Sequence, residues 1–361
     1  MKAVVFEAIG SPLAITDMPE PRLGTGEVIV DVAAARLLAY AHEIFSGARD
    51  YPLLLPAIPG AGGIGRVRAV GPDATRLAPG DWVYCDATIR ARDDAVAPDI
   101  MLQGLIAPGD GPAQLNRHYR HGSFAEQTIV PTENVTPIGD IAPDDAADWC
   151  AMGTLLVPYG GFLAVDLEPG ETVVVSGATG SFGSAAVAVA LGMGAASVVA
   201  TGRNEAALAD LNRRFGDRVR TAAMSGNEET DRQRILDAAP GPIDVVFDIL
   251  PPAASPEQVR AAVLTARPGG RVALMGGVGM AGGSGLELPY AWLMRNNITV
   301  RGQWMYPRDA ARRMAALIRA GLIDLGAFNV ARFTLDQVND AVAHAATHAG
   351  PFQMTTLVID R

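Results

Sequence analysis

The chain has 361 residues, 49% hydrophobic and 19% charged, so there is enough apolar surface for one large or two ordinary domains and long disorder is excluded. A formal charge of −10 argues against general binding to nucleic acid or to an anionic membrane. Lys2 is the single lysine, which rules out a Walker-type phosphate loop and an interior Schiff-base lysine.

The two cysteines, Cys85 and Cys150, form no Cys-x-x-Cys pair and cannot make a four-cysteine zinc site. The opening run Met1 to Glu7 reads as a short strand without a long apolar region or a cleavage site. The most apolar stretches carry glycine and fall short of a membrane span. The expectation is a soluble, cytoplasmic protein.

In chain order, Val4 to Phe6, Glu27 to Val32, Val67 to Val70 and Trp82 to Tyr84 read as short strands bounded by Gly, Pro or Asp. They predict a small β-barrel-like module. Residues 86–117 read as a long connection of weak periodicity, expected to be functional, a subunit contact or partly mobile. Strand character resumes at Ser123 to Val130.

The middle third alternates. Strands are predicted at Thr172 to Ser176, Ser197 to Thr201, Asp244 to Ile249 and Gly270 to Met275, and helices at Ser184 to Leu191, Asn204 to Phe215 and Pro256 to Ala266. That pattern predicts an α/β fold with a doubly wound parallel sheet. A strand at Ile298 to Gly302, a helix at Arg308 to Ala320 and a strand at Thr355 to Ile359 close the chain.

The best-defined motif is Ser176-Gly177-Ala178-Thr179-Gly180-Ser181-Phe182-Gly183, with a strand entering and a helix leaving. This Gly-x-x-Gly-x-x-Gly spacing is a variant of the dinucleotide fingerprint, in which small residues let backbone amides approach a pyrophosphate at a helix N-terminus. The next strand ends in Gly202-Arg203-Asn204, where an NAD site normally carries an acid for the ribose 2′-hydroxyl. Without that acid, and with a guanidinium able to pair with a 2′-phosphate, the expected cofactor is NADP(H), held at Gly202, Arg203 and Asn204. The alternative is a solvated Arg203 and binding of either cofactor.

Beyond the fingerprint, Pro21 with Glu27-Val28, Phe45-Ser46-Gly47, Pro59-Gly60, Pro79-Gly80-Asp81-Trp82-Val83, Gly122-Ser123-Phe124-Ala125-Glu126 and Pro268-Gly269-Gly270-Arg271-Val272 recur along nearly the whole length. Together these make the chain resemble the medium-chain dehydrogenase/reductase superfamily of alcohol dehydrogenases and quinone oxidoreductases. The resemblance implies a GroES-like catalytic domain (1–152, with 300–361 returning to it) and a Rossmann domain over 153–299. It implies that Thr154 and Phe182 contact the nicotinamide ring and that Met275, Gly276, Gly277 and Gln303 bind its carboxamide. It also implies a homodimer through the strand Ile298 to Gly302.

Zinc-dependent members of that superfamily carry a cysteine where Leu38 stands, a proton-relay Ser or Thr where Tyr40 stands, and His-Glu where Ala61-Gly62 stand. Of the three zinc-ligand positions only Cys150 matches, and the 86–117 segment, in the place of the structural-zinc loop, has no cysteine. No zinc is expected. Losing a Lewis acid worth several kcal/mol favours acceptors whose hydride adducts delocalise charge, namely enones, enals and quinones.

Tyr40 is the candidate proton donor or oxyanion partner, with His42 and Glu43 as candidates to link it to solvent. Tyr51, Trp149, Cys150 and Trp304 are candidate substrate-pocket residues. The favoured reading is a zinc-independent NADPH-dependent reductase of activated alkenes or quinones. The alternatives are a zinc-free carbonyl reductase or alcohol dehydrogenase, and a non-catalytic NADPH-binding or sensor protein. His344 and His348, at helical i, i+4 spacing, and His118, Arg120 and His121 are read as solvated surface groups.

Overall fold

Two sheets organise the chain. The computed structural model describes residues 1–280 and 282–359. The first sheet has six strands, Thr172–Ser176, Ser197–Gly202, Val219–Ala223, Ile243–Asp248, Ala266–Leu274 and Thr299–Gly302, in the spatial order 3-2-1-4-5-6 when counted along the chain. Every neighbouring pair is parallel. Helices Ser181–Gly192, Glu205–Phe215, Glu228–Ala238 and Pro256–Val263 make the crossovers. The first strand, Thr-Val-Val-Val-Ser, is buried throughout, as a β-branched run between two helical layers must be. The order reverses between the first strand and its neighbour Ile243–Asp248, opening a crevice at their carboxyl ends.

The second sheet draws on both ends of the chain. Its order is Asn329–Thr334, Gln353–Val358, Glu27–Leu37, Gly63–Val70, Trp82–Cys85 and Val135–Pro137, with Gln127–Pro131 also paired to Glu27–Leu37. The central strand Glu27–Leu37 shifts register twice against Gly63–Val70, between Ile29 and Val30 and between Val32 and Ala34. Bulges of this kind bend a strand and re-aim the side chains beyond them.

The expected fold class is therefore present, with three differences of detail. The parallel sheet runs through Gly302, past the expected boundary at 299. Residues 86–117 are ordered: Thr88–Arg90 pairs with Ile100–Leu102, and a helix covers Asp110–His118. Ile89, Met101, Ala107 and Tyr119 give this segment its own small core, and three-residue strands are too short to show alternation in a sequence. Finally, helix Met152–Ala164 bridges the two sheets; it is apolar around most of its circumference because most of it is buried, so no amphipathic period marks it.

Candidate functional site in the crevice between the two sheets

The crevice begins where strand Thr172–Ser176 ends. Gly177 takes a left-handed φ of +88°, and Gly180, in extended conformation, starts helix Ser181–Gly192 without a side-chain cap. A Cβ on Gly183 would run into the Gly177 carbonyl, so turn and helix pack backbone against backbone. The first-turn amides around Ser181 and Phe182 have no partners within the helix, which makes this end a seat for an anionic group. A Cβ on Gly202 would meet the Thr179 hydroxyl at 2.7 Å, so packing as well as ligand chemistry asks for glycine there. Asn204 uses its side-chain oxygen to cap helix Glu205–Phe215, accepting from the Ala207 amide at 3.0 Å. Arg203 is exposed and makes no ion pair among the described residues.

On the other side of the reversal, the Met275 amide donates to the Asp248 carbonyl at 2.9 Å and the Gly277 amide to the Leu250 carbonyl at 2.8 Å. Met275, Gly276 and Gly277 thus lie along the same carboxyl edge. The Gln303 amide donates to the Leu274 carbonyl at 3.1 Å, and its side chain turns onto the Trp304 and Met305 carbonyls at 3.3 Å. The glycine cradle and these backbone groups fit a nicotinamide dinucleotide.

Asp248, which the sequence reading did not single out, sits at this edge opposite Ser176 in the sheet register. It is buried, one carboxylate oxygen has no partner, and burial pushes its pKa up to about 6 against the pull of its bonds to Ser176 and the Leu250 amide.

The catalytic-sheet side holds a cavity of about 150 Å³ whose wall includes Arg36, Leu38, Tyr51, Ala61, Leu105 and Phe124. Tyr40 stands beside this wall. It is half-buried, edge-on to Tyr51 at 6.1 Å, and has the Arg49 guanidinium 4.2 Å from its ring centre. Burial, followed by the neighbouring Tyr51, holds its phenol well above the ordinary value. His42 does not join it. The imidazole is exposed, with Nδ1 3.3 Å from the Ala39 carbonyl. Residues two apart on a helix point different ways, so the expected link to Tyr40 is absent. Glu43, the other residue expected to link Tyr40 to solvent, is reached through Tyr51 and Arg49, and lies 2.8 Å from Arg49.

Trp149 and Trp304 also depart from expectation. Trp149 is packed in the core with Arg319 5.5 Å from its ring, and Trp304 is 48% exposed; neither lines the cavity. Cys150 is buried beside Arg36, and burial pushes its thiol up to about 12, so it is no nucleophile at neutral pH.

Arg36 is the largest omission from the sequence reading. It follows the two register shifts of the central strand and donates from Nη1 to the Thr154 hydroxyl. Its guanidinium lies 5.4 Å from the Phe182 ring centre. A Cβ on Gly153 would have Arg36 Nε and the Tyr84 hydroxyl each 3.6 Å away, so cation and phenol flank this glycine. Behind Tyr84, the Tyr306 hydroxyl pairs with it and donates to buried Asp86 at 2.8 Å. Burial lowers the Arg36 pKa from its ordinary value. The signal was present: Arg36 is the one charge in the run Val32 to Ala41.

Comparison with known proteins follows the same division. Residues 24–140 match the Alcohol dehydrogenase GroES-like domain family and residues 182–320 the Zinc-binding dehydrogenase family. The chain belongs to the medium-chain dehydrogenase/reductase superfamily. L-threonine 3-dehydrogenase of Streptomyces coelicolor is 28% identical over 97% of this chain and 97% of its own. Alcohol dehydrogenase TADH from Thermus sp. ATN1 superposes with a TM-score of 0.81 at 22% identity, covering all of both chains. The alcohol dehydrogenase rspB from E. coli CFT073, complexed with NADH, superposes with a TM-score of 0.78 at 19% identity over 99% of both. As an oxidoreductase of this superfamily, the protein uses a nicotinamide cofactor.

The zinc that many dehydrogenases of this superfamily hold does not fit the residues present. A catalytic zinc site takes three protein ligands and keeps one position open. Here two of the corresponding positions, Leu38 and Ala61, are aliphatic walls of the cavity, and Cys150 faces a guanidinium. Among the described residues no three His, Cys, Asp or Glu side chains come together to hold a metal. His344 and His348 stack face to face at 4.0 Å at the C-terminal end of helix Val338–Thr347; His348 is exposed as expected, but His344 is half-buried, with Nδ1 3.1 Å from the Thr355 hydroxyl and its ring 5.2 Å from Phe333. His118 Nε2 lies 2.7 Å from Glu27, fastening the 86–117 segment to the central strand.

Proposed function

We propose that this dehydrogenase/reductase is a zinc-independent, NADPH-dependent reductase of activated double bonds, with an enone, enal or quinone as acceptor. The observation that carries the reading is the cavity wall: Leu38 and Ala61 stand where metal ligands would be needed. Hydride addition to a plain ketone localises charge on an alkoxide, whereas addition to a conjugated acceptor leaves an enolate or phenolate and needs less electrophilic help. NADP(H) when bound supplies the hydride. Arg203, exposed at the end of the second strand, is the group for its 2′-phosphate. Tyr40, whose phenol stays protonated throughout the neutral range, is the proton donor.

A second reading, zinc-free interconversion of an alcohol and a carbonyl, is supported by the alcohol and L-threonine dehydrogenases among the relatives. One experiment separates the two. Purified, metal-analysed protein is incubated with NADPH and a conjugated enal, and the product is identified. A saturated aldehyde supports alkene reduction, and an allylic alcohol supports carbonyl reduction. Absence of turnover with every enal, quinone and ketone tried points to a non-catalytic NADPH-binding protein.

A homodimer belongs to the same proposal. Strand Thr299–Gly302 ends the parallel sheet with all four residues exposed, and Tyr290, Met294, Val300 and Trp304 add apolar surface around it. An open edge of this kind is a template for pairing with a second copy.

A further inference from the structure

Arg36 presents an electrostatic problem that the proposed reaction resolves. Taking a guanidinium out of water is expensive unless a negative partner offsets it. Arg36 is half-buried and has lost part of its hydration, yet it forms no ion pair with a carboxylate among the described residues. The other arginine in the cavity wall, Arg49, has Glu43 at 2.8 Å. The titratable groups around Arg36 are Tyr40, Tyr84, Cys150 and Tyr306, and burial pushes each of them up, so none carries a negative charge at neutral pH.

The geometry is equally particular. The Thr154 hydroxyl fixes one end of the guanidinium and the Phe182 ring lies alongside it, both at the positions implied for the nicotinamide ring. The same cation lines the cavity together with Leu38 and Ala61, the residues that replace metal ligands.

We propose that Arg36 is a catalytic residue: its guanidinium hydrogen-bonds the substrate oxygen on which negative charge develops, doing the electrostatic work of the missing metal. The inference rests on the functional reading above. For a conjugated carbonyl, a C–H bond forms at the β-carbon with the hydride of the reduced nicotinamide nucleotide. The C=C π pair shifts to a new double bond at the carbonyl carbon, and the C=O π pair moves onto oxygen. The resulting enolate oxygen is held at Arg36 until the α-carbon takes a proton from Tyr40. The substrate gains two electrons and the nicotinamide nucleotide loses two. A fixed, partly desolvated donor suits this role because it needs no reorganisation as charge appears.

The test compares the wild type with Arg36→Ala and Arg36→Lys. NADPH oxidation with 2-cyclohexen-1-one gives kcat and KM, and nicotinamide fluorescence gives NADPH affinity. Binding of 4-nitrophenolate, an enolate mimic, is read from its absorbance in the presence of NADP⁺. Arg36→Ala is expected to lose about 100-fold in kcat while NADPH affinity stays within about threefold. It is expected to bind 4-nitrophenolate at least about tenfold more weakly and to regain kcat with added guanidinium ion. Arg36→Lys keeps the charge but not the fork, and is expected to lose about tenfold in kcat.

A folded Arg36→Ala with kcat within about threefold of wild type, or with only KM raised, overturns the proposal. If that variant does not fold, an Arg36→Lys with unchanged kcat and unchanged phenolate binding overturns it. A wild type inactive toward enones, quinones and ketones overturns the functional reading alone, and the phenolate measurement then decides the role of Arg36.

Discussion

Arg36 on the central strand of one sheet donates a hydrogen bond to Thr154 on the helix that leads into the other, across 118 residues of sequence. The bond ties the two halves of the crevice through a charge, and bonds to charged groups contribute more than neutral ones. Thr154→Val keeps the shape and removes the acceptor. It is expected to lower the unfolding free energy by about 1.5–3 kcal/mol, measured by urea denaturation, and to lower kcat by loosening the guanidinium.

Tyr40→Phe removes the proposed proton donor while leaving the ring against Tyr51 and Arg49. A loss of about 100-fold in kcat is expected, with little change in NADPH affinity by fluorescence. Because the phenol is held above its ordinary value, it remains protonated as pH rises through 9, so kcat with an enone should show no basic decline arising from Tyr40 between pH 6 and 9.

Arg203→Ala tests cofactor choice. The side chain is exposed and the neighbouring Asn204 oxygen is committed to a helix cap, so the substitution should disturb little else. The KM for NADPH is expected to rise about tenfold and that for NADH to stay unchanged, as loss of one charge-assisted contact predicts. Equal effects on both cofactors would remove Arg203 from the 2′-phosphate.

Asp248→Asn tests the buried carboxyl at the crevice edge. Its pKa is about 6 in the fold, against about 3.9 in an unfolded chain. The folded protein therefore holds the proton more tightly, and this group makes wild-type stability fall as pH rises from about 4 to about 6, with the lower level kept above that. The asparagine variant lacks the term. Its stability relative to wild type is expected to climb across that window by up to about 3 kcal/mol, read from urea denaturation at each pH.

The exposed strand Thr299–Gly302 predicts a dimer of about 75 kDa, twice the 37.6 kDa chain, by light scattering at micromolar concentration. Val300→Pro, which removes an amide from that edge, is expected to shift the mass toward the monomer. A monomeric wild type would remove the dimer.

The parallel sheet and the glycine turn at its first crossover were legible in the sequence because their signals are local. Val173, Val174 and Val175 form a continuous buried run, and Gly177, Gly180 and Gly183 mark a turn whose backbone needs no side chain. The aliphatic character of Leu38 and Ala61, on which the zinc-free proposal rests, is equally visible, since it is a property of single positions. The strands within residues 86–117 leave no sequence signal because three residues are too few for alternation to register. His42 was misassigned because nearness along the chain does not set the direction of a helical side chain.

What only the tertiary structure decided is which polar groups meet. Arg36 was one charge in an apolar run until two strand bulges and a distant helix set it against Thr154, Phe182 and Cys150. Tyr306 and Asp86 bond across 220 residues, and Asp248 is costly to ionise because six strands and their helices close over it. Residue type and local spacing determined the fold and the glycine turn at its crevice. Burial and long-range contact, which set the energy of a charge, determined the chemistry of the crevice.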